Sequence, residues 1–146
     1  MYIYHSFHVL LGITKADLRK KLESPSVDHP LFLAKYSQAT EEIILGTVEL
    51  ETDIIQNERA GLIGLLSVDP ELQALGIGKK LVQAAESYCK QRLKLHWTAV
   101  WVLDSREEIL KWYTRMGYIH TEETRDFVYP DKLKAFGHFL VLRKHL

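Results

Sequence analysis

Two runs of almost unbroken apolar residues stand out along the chain, GLIGLLSV at 61–68 and LHWTAVWVL at 95–103. Apolarity that is continuous rather than alternating, over strand length, predicts strands covered on both faces. Helical spacing takes over after the first run. Ile77, Leu81, Ala84, Ala85 and Tyr88 share one side of a predicted helix over 77–92, and Lys80, Gln83, Glu86 and Lys90 take the other. A second helix follows the second run in SREEILKWYTRM, where Ile109, Trp112, Tyr113 and Met116 recur at the same spacing and Gly117 stands where a C-cap belongs. Nearer the start, Tyr2 to Phe7 can hold one strand, and ITKADLRKKLES reads as a helix with Thr14 as its N-cap and Leu18 and Leu22 one turn apart. LFLAKY and IILGTVELE read as strands, the second half-buried, with TDIIQNERA as the connection to the apolar run. YIHTEE and HFLVLRK close the chain as two strands joined by the loop TRDFVYPDKLKAFG. The second half thus runs strand, helix, strand, helix, strand, strand, which predicts an α/β domain built around a mixed sheet.

Composition narrows the class. At 146 residues, with 47 % apolar and 26 % charged positions, the chain suits one soluble globular domain over 1–146. Lys plus Arg equals Asp plus Glu at 19 each, a balance that argues against a nucleic-acid binder, which carries a basic excess. Cys89 is the lone cysteine, and the seven histidines show no pair at metal spacing on one predicted helix, so neither a disulfide nor a metal is expected. The opening MYIYHSFHVLLGI carries two histidines but no Lys or Arg ahead of its apolar run and is too short to span a bilayer, which takes roughly 20 apolar residues. The expectation is a cytoplasmic protein, with the nucleus as the other option and no membrane partner. Trp97, Trp101 and Trp112 read as core anchors, and Phe127, Tyr129 and Phe136 as loop residues packed on the sheet.

The chemistry concentrates at QALGIGKK, residues 73–80, where the first apolar strand gives way to the helix. A helix N-terminus leaves about four backbone N–H groups without intrahelical partners, and the helix dipole places partial positive charge there. Glycines at Gly76 and Gly78 allow a ligand to approach the main chain and allow positive φ. Together these make an anion site suited to a phosphate or diphosphate, with Lys79 and Lys80 adding charge. Two familiar phosphate motifs fail. A P-loop needs glycine at position 73 and Ser or Thr at 80, where the chain has Gln73 and Lys80; the dinucleotide fingerprint needs glycine at 81, which is Leu81.

The pattern [RQ]-x-x-G-x-[GA] is met in full by Gln73-Ala74-Leu75-Gly76-Ile77-Gly78. On it, LLSVDPELQALGIGKKLVQAAE resembles the acetyl-CoA-binding motif of the GNAT superfamily of N-acetyltransferases. LKWYTRMGY resembles that family's later motif, an apolar helix ending in Tyr-x-x-x-Gly-aromatic, here Tyr113, Gly117 and Tyr118. The likeness is close from Leu62 to Tyr118 and looser over the strand pair before it. It implies a GNAT-like α/β (α+β) fold, a mixed and mostly antiparallel central sheet flanked by helices. It implies acetyl-CoA as cosubstrate, with Leu66, Ser67 and Val68 pairing with the pantetheine arm and Gln73, Ala74, Leu75, Gly76, Ile77, Gly78 and Lys79 wrapping the diphosphate. Tyr113 then matches the general acid that protonates the departing thiolate.

The chain also departs from the family. Arg106 stands where many members have asparagine; it can contact a phosphate or the cofactor's adenosine or be solvated, and the solvated reading is the one favoured. Only about thirty residues precede LFLAKY, so the N-terminal helical part is shortened. Because that part walls the acceptor side in the family, a catalytically weak or inactive CoA- or acyl-CoA-binding module is the alternative to an enzyme. A third reading is a scaffold whose glycine turn binds nothing. Glu49 and Glu51 are candidates for the general base, although each reads singly as an exposed strand carboxylate. The acceptor is a primary amine, small molecule or peptide, and its identity is open. Dimers are common in the family, so a homodimer is among the assemblies the resemblance allows.

Overall fold

The structure, a computed structural model, describes Lys20, Glu23 and residues 29–38, 41–126 and 137–146. Among the described residues six strands form one sheet. They are β1 (Leu31–Gln38), β2 (Glu41–Ile55), β3 (Glu58–Val68), β4 (Trp97–Leu103), β5 (Ile119–Arg125) and β6 (Phe139–His145), in the spatial order β1-β2-β3-β4-β6-β5. A 3₁₀ turn (Pro70–Leu75) and helix α1 (Ile77–Gln91) carry the chain from β3 to β4, and α2 (Glu107–Arg115) from β4 to β5. Only the β3–β4 pairing is parallel; the others described are antiparallel. A parallel pair needs a long crossover, which α1 supplies. Of the predicted N-terminal helix, Lys20 and Glu23 are helical. The predicted strand from Tyr2 to Phe7, the Thr14 cap with Leu18 and Leu22, and Phe127, Tyr129 and Phe136 lie outside the described residues.

TDIIQNERA is not a plain connection. It continues both flanking strands, and β2 returns as β3 through the two-residue turn Gln56–Asn57, with φ of 50° and 65°. Positive φ at both central residues marks the turn whose twist matches a hairpin, and Asn tolerates it well.

α1 and α2 pack on one face of the sheet. There Val48, Leu50, Ile63, Leu66 and Val68 meet Leu81, Val82, Ala85 and Cys89 of α1 and Ile109 and Tyr113 of α2. The buried stripe of α1 differs from the expected one at three positions. Val82 is fully buried while Ala84 is exposed, and Glu86, expected on the solvent side, keeps only 12 % of its side chain exposed. Ile55, Ala60, Ala99 and Val141 form a smaller cluster, with Trp97 and Trp101 half-buried against it. By the period-2 alternation of strands, Glu49, Glu51 and Ile55 point away from α1.

β3 and β4 pair only from Gly61–Thr98 to Ile63–Val100. Beyond that point β3 stays with β2, β4 stays with β6, and the sheet opens between them. The divergence coincides with a bulge. Glu49 opposes Gly64 while Thr47 opposes Ser67, so β3 carries one residue more than β2. Leu65, inside the bulge, has φ of +47°, and Thr47 Oγ1 donates to its carbonyl at 3.3 Å. An extra residue bends a strand and increases its twist, which carries the end of β3 away from β4.

Candidate active site

The opening is the inner end of a cleft. Ile63 to Leu66 of β3 form one wall, Trp101 to Leu103 of β4 the other, and Arg106, Ile109 and Tyr113 close it. From Leu66 and Ile109 the cleft runs outward over Val68 to Gln73, Gly76, Gly78 and Lys79 of the turn, facing Glu108, Trp112 and Arg115 of α2. The outer part holds about 280 Å³.

The turn is organised by its own side chains at the start and left bare at the end. Asp69 caps the 3₁₀ segment, its Oδ1 accepting from the Glu71 N–H at 3.0 Å, and Gln73 Nε2 donates to the Val68 carbonyl at 3.4 Å. Ala74 and Leu75 are exposed, Leu75 at 68 %. Gly76 then reverses the chain at φ 76° and serves as N-cap of α1 without a side chain to offer, and the first turn of α1 holds no acidic residue. The amides at the start of α1 and the positive end of its dipole therefore face the cleft mouth uncovered by any cap. A Cβ at Gly76 would meet nothing within 4 Å, whereas one at Gly78 would touch Trp112 at 3.4 Å and Val68 at 3.5 Å. Gly76 thus shapes an open turn, whereas a Cβ at Gly78 would rest against Trp112 and Val68 at ordinary contact distance. Lys79 and Lys80 are exposed beside them.

Further in, β3 has no β4 partner after Ile63, so Leu66, Ser67 and Val68 present one edge of their main chain to the cleft. An unpaired strand edge is a ready partner for an extended amide-bearing chain. Tyr113 stands on the opposite wall, 6 % exposed, its ring edge-on to Trp112 at 4.9 Å and to Tyr118 at 5.3 Å. Burial pushes its phenol well above the usual tyrosine range, so the hydroxyl keeps its proton throughout neutral pH.

Three expected placements change. Glu49 is not an exposed carboxylate: it is 7 % exposed, in register with Gly64 at the edge of the bulge, and Glu51 is half-buried. Arg106 is not simply solvated; its side chain is 25 % exposed, lines the opening and donates through Nε to Glu108 at 2.6 Å. That guanidinium holds the Glu108 carboxyl below its usual range. Trp112 packs partly buried against the core, as expected, and also lines the cleft. Sequence reasoning also missed the Leu65 bulge and the cleft-lining Glu108 and Arg115. Cys89 is buried, as expected of a small apolar residue. His96 is exposed just before β4, stacked with His145. Among the described residues no group of three or more His, Cys, Asp or Glu is placed to hold a metal ion.

Residues 28–120 match the sequence profile of the acetyltransferase (GNAT) domain. The chain belongs to the GNAT family of N-acetyltransferases. No curated protein sequence matches it. Solved structures share the fold at low identity. A GNAT family acetyltransferase from Elizabethkingia anophelis with acetyl-CoA bound superposes at a TM-score of 0.69 and 19 % identity, covering 100 % of this chain and 92 % of its own. The IAA acetyltransferase from Bacillus cereus gives 0.68 at 17 %, covering 97 % and 91 %. A chain of the NatC complex bound to Gag peptide and CoA gives 0.66 at 20 %, covering 98 % and 90 %. The GNAT fold is therefore established for the described sheet and helices, whereas the residue roles rest on the cleft's own geometry.

Proposed function

We propose that this GNAT protein transfers the acetyl group of acetyl-CoA to a primary amine by direct attack, without a covalent enzyme intermediate. The observation that carries the reading is the continuity of the cleft. It joins an uncapped helix N-terminus at Gly76–Lys79, through an open strand edge at Leu66–Val68, to a buried phenol at Tyr113. That sequence of features matches a diphosphate, an amide-containing arm and a thioester, in that order. Support also comes from the acetyl-CoA reported bound in the Elizabethkingia structure.

In this reading the amine nitrogen attacks the thioester carbonyl carbon, the C–N bond forms and the C–S bond breaks. Main-chain N–H groups at the bulged end of β3 stabilise the oxyanion. The Tyr113 hydroxyl gives its proton to the departing thiolate, the nitrogen that has attacked sheds its extra proton to solvent as the neutral amide forms, and the Tyr113 phenolate is reprotonated from solvent. Burial that raises the phenol also raises a thiolate's proton affinity, so the two remain matched in a dry site. Glu49, buried beside the bulge, is the proposed base that takes the proton from the ammonium before attack.

The test is an amine panel of spermidine, an arylalkylamine, a free amino acid, a lysine peptide and a peptide with a free N-terminus, with acetyl-CoA consumption followed as free thiol. The expected result is turnover with at least one amine, and a loss of about tenfold to a thousandfold in kcat for Tyr113→Phe with little change in acetyl-CoA affinity. CoA binding without any turnover would replace the enzyme by a CoA-binding module. Full activity of Tyr113→Phe would remove the phenol from the reaction.

A further inference from the structure

The corner that follows Tyr113 is built more tightly than chain reversal requires. α2 ends with the Tyr118 N–H donating to the Tyr113 carbonyl at 3.1 Å and the Gly117 N–H donating to the Thr114 carbonyl at 3.0 Å. Gly117, at φ 97°, sits between them. This pair of bonds is the Schellman motif, in which residues five apart at a helix end also meet through their side chains. Here those side chains are Tyr113 and Tyr118, edge-to-face at 5.3 Å. The spacing Tyr-x-x-x-Gly-Tyr therefore has a local physical meaning: it places two phenol rings against each other across a left-handed glycine.

The second ring is anchored at its far end. The Tyr118 hydroxyl donates to Glu86 Oε1 of α1 at 2.9 Å and lies 3.1 Å from Thr98 Oγ1 of β4. Glu86 is in turn held by Lys144 of β6, whose Nζ lies 3.1 and 3.2 Å from its two oxygens. Tyr118 itself is 1 % exposed. Glu86, Thr98 and Lys144 belong to three different elements, so the hydroxyl, and with it the far end of the ring, cannot shift sideways without losing its hydrogen bonds to α1 and β4.

We infer that Tyr118 is a positioning residue: its hydroxyl, fixed by Glu86 and Thr98, holds its ring as the surface against which the Tyr113 ring is set for proton delivery to the cleft. The inference rests on the reading of Tyr113 as the general acid and adds the residue that aims it. Tyr118→Phe keeps the ring and the main-chain bonds and removes only the anchor.

The test is a double-mutant cycle in kcat, using acetyl-CoA and the fastest amine of the panel, with melting curves to confirm folding. Tyr118→Phe is expected to lower kcat by roughly tenfold with the KM for acetyl-CoA within about twofold, and to change kcat by less than about twofold when Tyr113→Phe is already present. Thr98→Val, which removes one partner of the same hydroxyl, should repeat the pattern at smaller size and serves if Tyr118→Phe folds poorly. A second readout needs no acceptor: with ¹³C-labelled tyrosine, the Tyr113 ring should flip faster in Tyr118→Phe than in the parent. Equal losses of kcat in both backgrounds, or an unchanged flip rate, would reduce Tyr118 to a structural residue. Should no amine turn over, or Tyr113→Phe be fully active, the reading of Tyr113 fails on its own evidence and the flip rate alone decides whether Tyr118 holds that ring.

Discussion

The cleft is made by two corners that work in opposite ways. At 69–79 the chain presents main chain: a left-handed glycine and an uncapped helix start, with Ala74, Leu75, Lys79 and Lys80 exposed around them. At 113–118 it presents side chains: two buried phenols whose orientation depends on a glutamate, a threonine and a lysine from three other elements. An anion needs N–H groups, which every residue but proline supplies, so the first corner depends on backbone conformation and hardly on residue identity. Proton transfer needs one atom in one place, so the second corner depends on identity throughout.

The comparison can be broken from either end. At the turn, the largest effect is expected from Gly76→Val. A Cβ at this position meets no neighbour, but a β-branched residue at φ 76° is strained by about 1–3 kcal/mol. Relief of that strain would reorient the α1 N-terminus, and calorimetry should show CoA affinity falling by about tenfold or more, equivalent to about 1.4 kcal/mol. An unchanged affinity would mean that the turn's conformation does not matter.

At the other corner, Lys144→Met leaves Glu86 without its cation where its side chain is only 12 % exposed. A charged group stripped of its partner in such a place costs about 1–3 kcal/mol, and the midpoint of thermal unfolding should fall accordingly while CoA affinity stays within about twofold. A smaller effect follows from the two phenols. Burial raises both, and in Tyr118 the nearby Glu86 charge adds to it. In the unfolded chain tyrosine releases its proton near pH 10, while the folded chain still holds both. Above that pH the folded state binds more protons than the unfolded one, so stability falls as pH rises, and below it the contribution is complete. Melting curves between pH 8 and 11 should bend downward near the upper end, and less so in Tyr118→Phe. The smallest effects belong to Leu75→Ala and Ala74→Ser, exposed positions where stability should move by no more than about 0.5 kcal/mol and CoA affinity by about twofold at most.

The same contrast explains what could be read in the amino acids beforehand. The strand–turn–helix unit at 61–92 announces itself because continuous apolarity, two glycines and helical spacing are local signals, and the observed α1 ends within a residue of the predicted helix. Tyr113 and Gly117 are legible for the same reason. Glu86 is not: a polar residue on an amphipathic helix reads as solvent-facing, and only tertiary packing brings Tyr118 and Lys144 to it. Leu65 is equally hidden, because a left-handed bulge is signalled by glycine and here the strand forces it on leucine. The Gln56–Asn57 turn escaped notice for want of a glycine. Glu49 looked exposed because alternation names the face of a strand but not what covers that face.

The central claim, that main-chain amides at the start of α1 hold the diphosphate of CoA, is most directly tested by titrating ¹⁵N-labelled protein with CoA and following every backbone amide. The account predicts that the largest shifts fall on Gly76, Ile77, Gly78 and Lys79, followed by Leu66 to Val68. Saturable binding that leaves those amides unmoved while another surface responds would contradict it.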